Sequence, residues 1–218
     1  MLKTRSVSVS RAAAVARVMP RVKHLFMSRE PDRNVASFLS LNSSVADGIV
    51  QRFFKPCLRQ MIKEAVPENT EVDLLAEQIL AEFQGRPYDQ VWAWTLTWCF
   101  VVQCYLEYSR KGQVDFHFLD YDSLVRDPRG VLTGVLKHCQ VDSDDATLSR
   151  CLQALGKDSQ EGTQLSRVNL GERRTSLSEE ESRTVRETLE RFGFVYGAEW
   201  RSTFEVSVNN NNNIAIPC

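Results

Sequence analysis

Chemistry in this sequence is carried by an arginine, a serine and a tyrosine placed at the ends of apolar runs. In "HLFMSREPDRNVASFLS", residues 24–40, a short apolar run ends in Arg29, turns through Glu-Pro-Asp and restarts as a helix, with Ser37 eight positions after the arginine. In open α/β sheets, ligands bind beyond the carboxyl ends of strands, where the next helix offers free N–H groups and its positive dipole end. A guanidinium at such a strand end can grip a phosphate through two parallel hydrogen bonds. Ser37, in the early turns of the helix, can donate a third. The same residues admit a plainer role, with Arg29 paired to Glu30 or Asp32 and Ser37 an ordinary helix residue. Tyr121, closing the run "VDFHFLDY", lies at the end of a second strand. By itself it reads equally well as an aromatic covering the sheet end.

The elements that would position these residues alternate along the chain. "LKTRSVSV" reads as a short strand, "SRAAAVARVM" as a helix, "VKHLFMS" as a strand and "RNVASFLSLN" as a helix start. "VADGIVQRFFKPCLRQMIKEAV" reads as a longer helix interrupted at Pro56. "EVDLLAEQILAEF" repeats apolar positions at helical spacing until "GRP" breaks it, and another long helix runs from about Tyr88 to Tyr108. In "VDFHFLDY", Val114, Phe116 and Phe118 alternate with Asp115 and His117, the mark of a strand. Pro128 opens a further helix, and "DDATLSRCLQAL" forms another. Ser178 stands three residues before Glu181, a capping-box spacing, and Gly193 falls where that last helix should stop. Strands separated by helices imply parallel pairing and an α/β layer fold, with only three strands visible. Residues 1–206 read as one domain, and 207–218, with five consecutive asparagines, as a disordered tail.

Composition limits the partners. Among 218 residues, 27 Lys and Arg face 28 Asp and Glu, so no global basic field points to nucleic acid or an anionic membrane. Any anion site must be local. Six cysteines show no CxxC pair and no Cys/His zinc spacing, which suits a reduced chain. The basic, serine-containing first 29 residues mimic an organelle transit peptide, but Pro20 and the apolar run that follows read as part of the fold. "VWAWTLTWCFVVQCYL" is too short and too polar to span a bilayer, so no transmembrane segment is expected and a buried helix is. Trp94 and Trp98 share a face of that helix and are expected in the core. His24, His117 and His138 show no triad or metal spacing, and the Asn42 sequon falls in a helix-like stretch.

"FMSREPDRNVAS" resembles the 3′-phosphate-binding segment of sulfotransferases, in which a strand ends in arginine, a Pro-containing turn follows and a serine comes eight residues later. Arg29 and Ser37 match that spacing. "FLDYDSLVRDPRGVLTGVLKHCQVD" is similar to the family's strand, Tyr-acid-x-Leu, Asp-Pro and helix segment, and the resemblance implies that Tyr121 contacts the adenine side of a nucleotide. The similarity spans roughly residues 1–195. It implies a three-layer, parallel-sheet fold like that of P-loop NTPases, helix-rich here and N-terminally truncated. It also implies a sulfuryl donor, 3′-phosphoadenosine 5′-phosphosulfate (PAPS), with no metal, and a hydroxyl or amine acceptor on a small molecule or carbohydrate. "LGERRTSLSEEESRTVRETLERFGF" resembles the family's last loop and helix loosely. Gly171, Arg173 and Arg174 are the nearest counterparts of its basic loop, without the usual Arg-Lys-Gly order.

Departures from the family carry equal weight. No glycine-rich loop precedes a Ser/Thr pair on a strand-to-helix turn, so the 5′-phosphosulfate cradle has no counterpart in this sequence. "LKTR" resembles a later family strand in which some members carry a histidine base after Lys-Thr. Arg5 stands there, and an arginine stays protonated and accepts no proton at neutral pH. The catalytic base is therefore unassigned. Two expectations follow: a sulfotransferase, incomplete or inactive as this chain, or a non-catalytic scaffold retaining the fold. The acceptor is not legible, cytoplasm and Golgi lumen are equally open, and an exposed apolar sheet edge predicts self-association.

Overall fold

The computed structural model describes residues 6–40, 50–56, 59, 70–85, 87–157, 174–194 and 196. In chain order, a 3-10 turn over Ser6–Arg11 runs into α1 (Ala12–Val18), followed by β1 (His24–Ser28) and α2 (Pro31–Leu39). A π-helical turn over Val50–Phe54 precedes α3 (Thr70–Gly85) and α4 (Gln90–Arg110). Then come β2 (Phe116–Asp120), α5 (Tyr121–Arg126), α6 (Pro128–His138), α7 (Asp145–Leu155) and α8 (Glu179–Arg191).

α4 is the centre of the packing. Residues 91–102 are buried without interruption, so the helix is covered on all sides, as a helix apolar around its whole circumference must be. Its interior threonines satisfy themselves: Thr95 donates to the Val91 carbonyl at 2.7 Å and Thr97 to the Ala93 carbonyl at 2.9 Å. Asp89 caps the start, accepting from the Trp92 N–H at 2.7 Å. Trp92, Trp94 and Trp98 are 2%, 2% and 5% exposed, which makes them core residues as expected. No helix among the described residues is long and apolar enough to cross a membrane.

β1 and β2 pair in parallel, from His24 opposite Phe116 to Ser28 opposite Asp120. Parallel neighbours need a crossover, and α2 to α4 supply it. On one face Phe26 stacks on Tyr105 of α4 at 4.3 Å, and Phe116 lies 5.1 Å from the same ring. On the other face α6 lies against β2, where the rings of His117 and His138 stack at 5.2 Å. Leu25 and Met27 of β1, alternating with buried Phe26 and Ser28, remain 37% and 52% exposed. The chain is thus helix-rich with a small parallel sheet, an α/β arrangement with helices on both faces of the strand pair.

Among the described residues there are two strands, where the alternation suggested three. The strand expected from "LKTRSVSV" is, from Ser6 onward, the 3-10 turn. Its β-prone residues are buried by docking on α4: Val9 and Ser10 are covered, and the Tyr108 hydroxyl donates to the Ser10 carbonyl at 2.7 Å. Tertiary packing here overrides a weak strand propensity. The long helix expected around Pro56 is described only in part, and the asparagine-rich tail and Asn42 lie outside the described residues.

α2 and α8 complete the layer on α4. Phe38 stacks on Trp94 at 4.1 Å with the rings 7° from parallel, and Val185 and Leu189 of α8 are fully buried. The capping box forms as its spacing indicates, with Ser178 and Glu181 each accepting the other's backbone N–H. Gly193, at φ 74°, ends α8: its N–H and that of Phe194 return to the Glu190 and Leu189 carbonyls.

Candidate functional site

The carboxyl ends of β1 and β2 are where the chemistry collects. Because Ser28 pairs with Asp120, the next residues of the two strands, Arg29 and Tyr121, leave the sheet side by side. The Arg29 guanidinium lies over the Tyr121 ring, 4.9 Å from its centre, a cation–π contact. The sequence resemblance had put these two residues on one nucleotide, and the parallel register brings them together.

Local structure fixes both residues. Asp120, buried at the end of β2, accepts from the backbone N–H groups of Asp122 at 3.3 Å and Ser123 at 3.2 Å, and from the Ser123 hydroxyl at 2.6 Å. This cap turns the chain straight from strand into α5 and holds Tyr121 and Asp122 against β1. On the other side, the Trp98 indole N–H donates to the Arg29 carbonyl at 3.0 Å, tying the β1–α2 turn to the core helix. α2 begins at once with Pro31, and its N-cap residue, Glu30, makes no side-chain cap. The first-turn N–H groups of α2 therefore point, with the positive end of the helix dipole, toward the turn that carries Arg29.

The plainer pairing considered for Arg29, with Glu30 or Asp32, is not the one adopted. Arg29 Nε donates to Asp122 Oδ1 at 3.2 Å, and Arg33 Nη1 reaches the same oxygen at 3.3 Å. Glu30 instead faces Arg33, with Oε2 3.6 Å from Arg33 Nε. Asp32 points toward α8, where its Oδ2 accepts from the Tyr196 hydroxyl at 2.6 Å and the Ser182 hydroxyl at 3.4 Å. Burial, reinforced by this carboxylate, pushes the Tyr196 phenol up from its ordinary value.

Ser37 is half-buried on α2, roughly 9 Å along the helix axis from Pro31. Its hydroxyl makes no hydrogen bond to another described residue. Arg174 lies elsewhere. Its backbone N–H donates to Ser40 Oγ at 2.7 Å, at the far end of α2 from Arg29, and its guanidinium forms a two-point pair with Glu181, including Nη1 to Oε1 at 2.8 Å. That pair holds the Glu181 carboxyl below its ordinary value. Arg173, Lys3 and Arg5 lie outside the described residues.

The assembled site therefore holds Arg29, Tyr121, Arg33 and Asp122, with Trp98 and Asp120 as positioning residues. Arg33, Asp122, Trp98 and Asp120 were missed by spacing arguments. The available signal was parallel pairing of the two strands, which predicts that residues just after each strand meet. Two guanidiniums, an uncapped helix start and an aromatic face suit an anionic group attached to a planar ring. No group of three or more His, Cys, Asp or Glu side chains among the described residues is placed to hold a metal ion. Comparison of the chain with protein-family models, curated proteins and solved structures finds no match in any of the three.

Proposed function

We propose that the ends of β1 and β2 form the 3′-phosphate half of a PAPS site in a sulfotransferase-type domain. The observation that carries this reading is the Arg29 guanidinium lying 4.9 Å over the Tyr121 ring at the ends of two parallel strands. The donor set fits a nucleotide 3′-phosphate: Arg29 and Arg33 supply guanidinium donors, α2 supplies uncapped backbone N–H groups, and Tyr121 offers a face to the base. Ser37 is the further donor that the sequence resemblance implies. Arg174 does not enter the proposal, because it is held by Glu181 beyond the other end of α2.

PAPS when bound supplies the transferable sulfuryl group, and the acceptor is a hydroxyl or amine. The work of Arg29 and Arg33 is then remote from the reacting bond: gripping the 3′-phosphate converts binding energy into register of the donor. Three-layer, P-loop-like architecture is part of the same proposal.

A second reading rests on a different observation. Arg29 and Arg33 are matched by Asp122 and Glu30 within the same cluster, so the four formal charges sum to zero and the site is electrostatically complete without a ligand. That favours a scaffold in which these pairs hold α2 and α5 to the sheet. Calorimetric titration with adenosine 3′,5′-bisphosphate, alongside Arg29→Ala, separates the two. Saturable binding, weakened by about 1.5–3 kcal/mol in the variant, the range for a hydrogen bond to a charged group, is expected of the nucleotide site. A folded chain that takes up no nucleotide assigns the cluster to the scaffold.

A further inference from the structure

We infer that Asp122 is a resident anion in this site, and that it makes the site selective for a terminal phosphomonoester over singly charged anions. The inference rests on the nucleotide reading above and adds a selection rule to it.

The geometry is specific. Arg29 Nε and Arg33 Nη1, from a strand end and from the first turn of α2, converge on one oxygen, Asp122 Oδ1. The Asp122 side chain is 14% exposed, so the carboxylate occupies the point that two guanidiniums address, partly withdrawn from water. Its backbone is pinned, because its N–H is held by Asp120. Only the short side chain is left to swing away, about two rotatable bonds that leave α5 and β2 undisturbed.

An anion that takes both Arg29 Nε and Arg33 Nη1, the donors that converge between the strand end and α2, must displace this carboxylate. Asp122 competes intramolecularly, with no association entropy to lose, whereas a ligand pays for its translational and rotational freedom. A singly charged phosphodiester offers the two arginines the same formal charge as Asp122 and gains nothing that offsets this. A phosphomonoester above its second ionisation, near pH 6, carries up to twice the charge and three acceptor oxygens. It roughly doubles the attraction to the same two guanidiniums and leaves the displaced Asp122 free to turn to solvent. Resident carboxylate and dianionic ligand thus set a charge threshold.

The test is titration of the full chain at pH 8 with adenosine 3′-monophosphate and with adenosine 2′,3′-cyclic monophosphate. The two share base and ribose and differ in carrying a monoester or a diester. The expected result is a preference for the monoester of about tenfold or more, the scale of one charge-assisted hydrogen bond, narrowed in Asp122→Asn by a gain in affinity for the diester. Equal affinities in the wild-type chain, which needs no variant to fold, would leave the nucleotide site standing and overturn the resident anion. So would an Asp122→Asn protein, folded by circular dichroism, that binds both probes as the wild type does or more weakly. Failure of both probes on both proteins removes the nucleotide reading and this inference together.

Discussion

At the scale of single residues, the candidate site depends on a tryptophan of the core helix. Trp98 is 5% exposed and its indole N–H meets the Arg29 carbonyl, so it fixes where the β1–α2 turn leaves the core. Trp98→Phe keeps an aromatic ring but leaves that carbonyl without its donor. The expected loss is about 1–2 kcal/mol of stability, read by chemical denaturation; under the proposed nucleotide site, titration with adenosine 3′,5′-bisphosphate should also show weaker binding. Arg174 offers a contrast. Its pair with Glu181 is partly exposed, and Arg174→Ala is expected to cost at most about 1 kcal/mol while leaving nucleotide affinity unchanged. Equal losses of affinity in Arg174→Ala and Arg29→Ala would place both arginines on one ligand and break this assignment.

At the scale of elements, helix ends show how local chemistry holds the framework. α4, α6 and α8 end alike, with paired returns of N–H groups to carbonyls of the last turn, as in Gly112 to Ser109 and Gln113 to Tyr108. The first residue past each cap has positive φ. It is Gly112 at 62° after α4 and Gly193 at 74° after α8, but Gln140 at 58° after α6. A side chain in that conformation is strained, and Gln140 is exposed, so nothing in its packing offsets the strain. Gln140→Gly is expected to stabilise the chain by about 0.5–1 kcal/mol, seen as a higher denaturation midpoint at unchanged slope. At the other end of α8, Ser178→Ala removes half of a formed capping box and is expected to cost about 1 kcal/mol.

At the scale of the whole molecule, three histidines distant in sequence are electrostatically coupled about the strand pair, with the rings of His117 and His138 in contact. His24 comes from β1, His117 from β2 and His138 from the end of α6, and His138 acts on both of the others. Burial, followed at His117 by the neighbouring His138, holds His24 and His117 below the ordinary imidazole value of 6.5, and Asp115 opposes this in part. The Nε2 atom of His24 is buried with no partner among the described residues, so an added proton finds no acceptor there. The folded state therefore binds fewer protons than the unfolded one once the pH falls below 6.5. Stability is expected to be level above that value and to decline as the pH drops through it toward the lower folded values. Thermal melts from pH 8 to 5 check this, and His138→Asn should flatten the decline. The same scale governs association. With Leu25 and Met27 uncovered, the wild-type chain is expected to self-associate, and Met27→Lys to shift it toward monomer in sedimentation.

What the sequence determined by itself is what short-range physics controls. Apolar spacing marked the helices now seen at Thr70–Gly85 and Gln90–Arg110, alternation marked β2, and Ser178, Glu181 and Gly193 marked the limits of the last helix. Each is decided within a few residues by backbone geometry and by which N–H groups lack partners. Arg29 and Tyr121 stood out too, as polar residues ending apolar runs. Only the tertiary structure decided what they face. Parallel pairing of segments about 90 residues apart set Asp122, rather than Glu30 or Asp32, against Arg29, because register is fixed by packing of buried Phe26 and partly buried Phe116 and Phe118 against Tyr105 of α4. The 3-10 turn at Ser6–Arg11 and the stacking of His117 on His138 have the same origin. Both follow from which faces of α4 and the strand pair needed cover, a property of the packed chain that no local window contains.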